Sequence, residues 1–74
     1  MLYHFINIMM IILNGKEISL PKATSLKDAV ARFSTNPAHI VAEVNGVIAS
    51  RDTWDATKLA AGSKVELVTF VGGG

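Results

Sequence analysis

The dipeptide Asn-Gly occurs twice in this sequence, at Asn14-Gly15 and Asn45-Gly46, each time between apolar runs. A tight two-residue hairpin turn needs positive φ at its central positions, and Asn followed by Gly tolerates this with little strain. Each pair therefore reverses the chain between two strands. Before the first lies IMMIIL, residues 8–13, mostly β-branched or long apolar side chains, as in a strand covered on at least one face. After it KEISL alternates, with Ile18 and Leu20 on one side and Glu17 and Ser19 on the other. Pro21 ends that strand, having no N–H to give to the ladder. Around the second pair, IVAEV at 40–44 precedes the turn and Val47-Ile48 follows it.

Between the hairpins the period changes. Leu26, Ala29, Val30 and Phe33 stand at i, i+3, i+4 and i+7, one face of a helix, with Lys27 and Arg32 away from it. Ser25 is a suitable N-cap, and Asp28 puts negative charge in the first turn, where the helix dipole favours it. Asn36-Pro37 breaks the pattern, because proline disfavours a helical residue before it. The polar stretch SRDTWDATK reads as a loop, with Trp54 expected half-buried at the edge of the core. Leu59 and a Gly62-Ser63 turn lead into KVELVTF, where Val65 and Leu67 share one face and Glu66, Val68 and Phe70 the other. A hairpin, a helix and further strands make a two-layer α+β domain. The first and last strands are apolar enough to lie side by side at the centre of the sheet. The expected arrangement is a β-grasp (ubiquitin-like) fold: a mixed sheet of four to five strands packed on one main helix.

Composition narrows the function. A chain of 74 residues is a single small domain, and a hydrophobic share of 50% is too high for a disordered segment. With no cysteine, disulfides, thiolate metal sites and cysteine nucleophiles are excluded. A net charge of +1 without a basic run gives no footprint for nucleic acid. The apolar run FINIMMIIL is far shorter than the ~20 residues of a membrane span, and it lacks the basic leader and cleavage site of a signal peptide. Residues 1–9 read as an N-terminal extension or the start of the first strand, residues 10–71 as the domain, and residues 72–74 as a flexible tail.

The side chains offer no catalytic constellation. His4 and His39 lie far apart with no acidic neighbour at ligand spacing. Asp52 and Asp55 flank Trp54 on one loop and read as turn and cap chemistry. No helix follows Gly72, Gly73 and Gly74 to make them a phosphate loop. A terminal triple glycine fits two readings. It is a frayed end, or it is a backbone slim enough to enter another protein's active site and present an ionised α-carboxylate there. The β-grasp order favours the second. Partner docking is then expected on the sheet face away from the helix, at Val68, Phe70 and Val71.

In order and spacing these pieces resemble the ThiS family, small sulfur carriers with a ubiquitin-like fold. The likeness runs over residues 10–74. MIILNGKEI resembles the opening hairpin and TSLKDAV the start of the helix. VAEVNGVIASRDTW carries Asn45, Gly46, Arg51 and Trp54 in the family's places. LAAGSKVELVTFVGGG resembles its ending. The chain departs from the pattern at Ala49-Ser50, where Val-Pro is common, at Gly62-Ser63, where Gly-Asp is usual, and in its extra first nine residues.

The resemblance implies a cytoplasmic carrier that is not itself an enzyme. A ThiF-type adenylating enzyme uses ATP and Mg²⁺ to convert the Gly74 carboxylate to an acyl-adenylate. A cysteine desulfurase relay supplies sulfur, and a ThiG-type thiazole synthase accepts it from the thiocarboxylate for the thiazole of thiamine. Gly72, Gly73 and Gly74 would thread into the partners' active sites. No cofactor would be bound by this chain. The alternatives are a MoaD-type carrier for molybdopterin synthesis, which the short length and VGGG ending disfavour, and a non-catalytic β-grasp interaction module.

Overall fold

The computed structural model describes residues 7–70. Strands β1 (Ile8–Leu13) and β2 (Lys16–Pro21) form the first hairpin, followed by helix α1 (Leu26–Phe33). A 3-10 turn at Pro37–His39 leads into β3 (Ile40–Val44) and β4 (Val47–Ile48). A second 3-10 turn at Arg51–Thr53 precedes β5 (Lys64–Thr69). The five strands form one sheet in the order β2-β1-β5-β3-β4. β1 and β5 run parallel and the other neighbours antiparallel, so the first and last strands meet near the middle, as their apolar character predicts.

Both Asn-Gly pairs form the turns expected of them, with φ of 50° and 84° at Asn14 and Gly15 and of 52° and 85° at Asn45 and Gly46. The asparagines have a second task. The Asn14 side chain accepts the Leu67 N–H at 2.8 Å and donates to the Leu67 carbonyl at 3.3 Å. Asn45 accepts the Lys64 N–H at 2.9 Å. Each turn residue thus ties its hairpin to β5.

Helix α1 begins where Ser25 accepts the Asp28 N–H at 3.0 Å, and Ser25 is itself buried. Further N–H groups of the first turn, which no helix satisfies internally, donate to the segment between β4 and β5: Leu26 to the Thr57 carbonyl at 2.8 Å and Lys27 to that of Trp54 at 3.2 Å. Leu26, Ala29 and Val30 enter the core beside Ile11, Leu20 and Val65. Phe33 does not. It is the last helical residue, 39% exposed, with the Arg32 guanidinium 5.7 Å from its ring centroid. With no further turn of helix behind it, the ring stays at the edge of the two-layer contact, in a depression shared with Ile40 and Leu67.

Trp54 corrects the sequence expectation in the other direction. It is 5% exposed, a core residue and not a half-buried lid. Its indole N–H donates to the Ala49 carbonyl at 3.1 Å, which removes the cost of burying that polar atom. The Ser63 hydroxyl closes the turn before β5 by accepting the Ala60 N–H at 3.0 Å.

Candidate functional site

The sheet face turned away from α1 follows from the alternation of three strands. In β5, Val65 is buried and Leu67 partly so, while Glu66 and Val68 point outward. In β3, Ile40 and Ala42 are buried and Val41 points outward. Val41 pairs directly with Val68, and Glu43 with both Glu66 and Ile48. The outer face at the end of β5 is therefore an apolar group of Val41, Val68 and Phe70, 36%, 56% and 41% exposed, bordered by two carboxylates and by exposed Ile48. Like charges directly opposite each other in an antiparallel pair oppose the pairing, so Glu43 and Glu66 are not there for the stability of the sheet.

Of the expected docking residues, Val68 and Phe70 both lie on this outer face. Val71 and the tail residues Gly72, Gly73 and Gly74 fall outside the described residues, as does His4. Val41 and Ile48 escaped the sequence reading. In IVAEV an almost continuous apolar run hides which residues face outward, and Val41 is identified only by its pairing with Val68. A second exposed apolar group, Ile8 and Met10 of β1, lies on the same face.

His39 lies beside this surface. Its ring centroid is 5.7 Å from that of Phe70, tilted at 54°, and its Nδ1 is 3.0 Å from the Asn36 amide nitrogen. Asp52 accepts the Ser50 hydroxyl at 3.0 Å, the turn chemistry expected of it. A cleft of about 460 Å³ lies between α1 and residues 51–55. Val30, Ala31, Pro37 and Trp54 line it, with Lys27 and Asp55 among its charged residues. Among the described residues no group of three or more His, Cys, Asp or Glu could hold a metal ion. No helix among them is long and apolar enough to cross a membrane.

A mixed five-stranded sheet on one helix, with a central C-terminal strand that carries an apolar outer face to its end, defines a ubiquitin-like β-grasp protein. Within that class the ThiS family model matches residues 6–74, and the chain belongs to the ThiS family. A crystal structure of the thiamine biosynthesis protein ThiS from Geobacter metallireducens superposes with a TM-score of 0.79 at 26% identity, over 89% of this chain and all of that one. A curated relative, the uncharacterised protein ycf40 of Trieres chinensis, is 32% identical over 62 residues, 84% of this chain and 85% of its own length.

Proposed function

We propose that this chain is a sulfur carrier, acted on by other enzymes rather than catalysing a reaction. The observation that supports this most directly is the outward apolar surface of Val41, Val68 and Phe70, placed immediately before residues 71–74 in a member of the ThiS family. That surface suits docking on a partner while the glycines thread into its active site. Glycine lacks a Cβ, so Gly72, Gly73 and Gly74 can follow a narrow channel that any side chain would obstruct.

The Gly74 carboxylate attacks the α-phosphate of ATP on a ThiF-type adenylating enzyme, and pyrophosphate leaves. A persulfide from a cysteine desulfurase relay attacks the acyl-adenylate, and AMP leaves. A thiol then cleaves the acyl disulfide, giving the thiocarboxylate and a disulfide. A ThiG-type thiazole synthase takes the sulfur for the thiazole ring of thiamine. ATP and Mg²⁺ belong to the adenylating enzyme in this scheme, and the cytoplasm is where it would operate. The likeness to the Geobacter neighbour, a thiamine biosynthesis protein, favours this acceptor over molybdopterin synthase.

Intact-mass spectrometry after incubation with the adenylating enzyme, ATP, Mg²⁺ and a sulfur source tests the proposal. The expected product carries sulfur in place of one carboxylate oxygen at Gly74. An unchanged mass sinks the carrier reading. Capture by the large subunit of molybdopterin synthase and not by thiazole synthase would keep the carrier and change its acceptor.

A further inference from the structure

Strand β5 outruns β1. The last residue of β1 pairs with Val65, and the Asn14 side chain extends that contact as far as Leu67. Beyond Leu67 the ladder continues on the β3 side. Val68 pairs with Val41, Thr69 with Ile40, and the Phe70 N–H donates to the His39 carbonyl at 2.9 Å. The path of the chain at Phe70 therefore depends on where residues 37–41 are held.

Burial does not hold the start of that segment, because the Pro37–His39 turn contains no buried residue. Arg51 holds it. One guanidinium nitrogen donates to the Pro37 carbonyl at 2.7 Å, and the other donates to the Ala38 and Ile40 carbonyls at 3.2 and 3.0 Å. The guanidinium is itself stacked on Trp54, with Cζ 4.5 Å from the ring centroid, and Trp54 is fixed in the core. A planar fork can serve several carbonyls while lying flat on an aromatic ring. A lysine ammonium on its flexible stem cannot reproduce that geometry. From the turn the contact passes to Phe70 by two routes, the His39 carbonyl and the His39 ring.

We infer that Arg51 is a positioning residue for the C-terminal arm: it anchors the Pro37–His39 turn to Trp54, and the turn, through His39, sets the path of the chain at Phe70. The inference rests on the carrier reading only for its consequence, that a misdirected arm enters the adenylating active site less often. Orientation of a reacting group is worth large rate factors, so a small error in exit direction lowers transfer.

The test uses Arg51→Met, Arg51→Lys and His39→Ala in the full chain, with two readouts. The first is native-state amide hydrogen exchange at Phe70, referenced to Val65, which has paired strands on both sides. The second is kcat/KM for adenylation of Gly74. Both Arg51 variants are expected to speed exchange at Phe70 by about tenfold relative to Val65, as in local rather than global opening. They are expected to lower kcat/KM about fivefold. His39→Ala moves both in the same direction by less. Should Arg51→Met fail to fold, Arg51→Lys and His39→Ala decide. Exchange that rises equally at Phe70 and Val65, or that stays unchanged at Phe70, overturns the inference and leaves Arg51 a general stabiliser. The exchange measurement needs no partner, so a chain that is never adenylated removes the carrier reading while Phe70 still decides the role of Arg51.

Discussion

Ala23 has a φ of 67°, in the left-handed region that costs a residue with a Cβ about 1–2 kcal/mol. Asn14 and Asn45 share that conformation, but their short polar side chains favour it, and both are hydrogen-bonded to β5. Ala23 has no such compensation and is exposed, so nothing crowds a replacement. Ala23→Gly is expected to stabilise the fold by about 0.5–1 kcal/mol, the relief of strain being reduced by the greater freedom glycine has when unfolded. Urea denaturation checks this: the midpoint should rise with an unchanged slope, and a lower midpoint would show that the position is unstrained. Trp54 is the residue whose environment the sequence concealed. Its neighbours in SRDTWDATK are polar, yet it is 5% exposed, because the 3-10 turn at Arg51–Thr53 delivers it to the core and the Ala49 carbonyl receives its N–H. Trp54→Ala is expected to cost about 3–5 kcal/mol in chemical denaturation, enough to unfold much of so small a domain. Trp54→Phe should cost less, because it keeps an aromatic ring, though a smaller one, and loses the hydrogen bond to the Ala49 carbonyl. Equal losses would mean that the hydrogen bond, not the packing, matters there.

Among the elements, β5 depends most on partners distant in sequence. β1 and β3 flank it, and each hairpin turn adds an asparagine side chain to it. Replacing these asparagines by glycine keeps the positive φ that the turns require and removes the side-chain bonds, with an unfolded-state entropy cost common to both variants. Asn14→Gly, which loses two bonds to Leu67, is expected to destabilise by about 1–2 kcal/mol, and Asn45→Gly, which loses one, by about half as much. Thermal or urea unfolding of the two variants gives the ranking, and the reverse order would contradict the role assigned to Asn14. All five strands, the helix and its cap were legible in the sequence. Hairpin turns, the Ser25 cap and the 3.6-residue period each depend on residues a few positions apart. The fate of Phe33 was not legible. Its spacing places it on the apolar face, but α1 ends at that residue and leaves the ring 39% exposed.

For the molecule as a whole, the division of faces matters most. Packing against α1 uses one side of the sheet and leaves Val41, Val68 and Phe70 outward at the end of β5. On the proposed carrier reading, Phe70→Ala is expected to weaken binding to a ThiF-type enzyme about tenfold in calorimetry and to leave the unfolding midpoint nearly unchanged, since the ring belongs to the outer surface. Unaltered affinity would remove Phe70 from the proposed docking surface. Val68 and Phe70 were readable from the alternation of β5, while Val41 and Ile48 joined them only through strand pairing. Turn positions, the helix cap, strand periods and the apolar character that brings β1 to β5 are written in runs of neighbouring residues, because backbone conformation and amphipathic spacing are local properties. Which side chains end up buried, and which carbonyls Arg51 reaches, depended on segments meeting in three dimensions, since burial and hydrogen-bond partnership belong to pairs of surfaces and not to any stretch of chain.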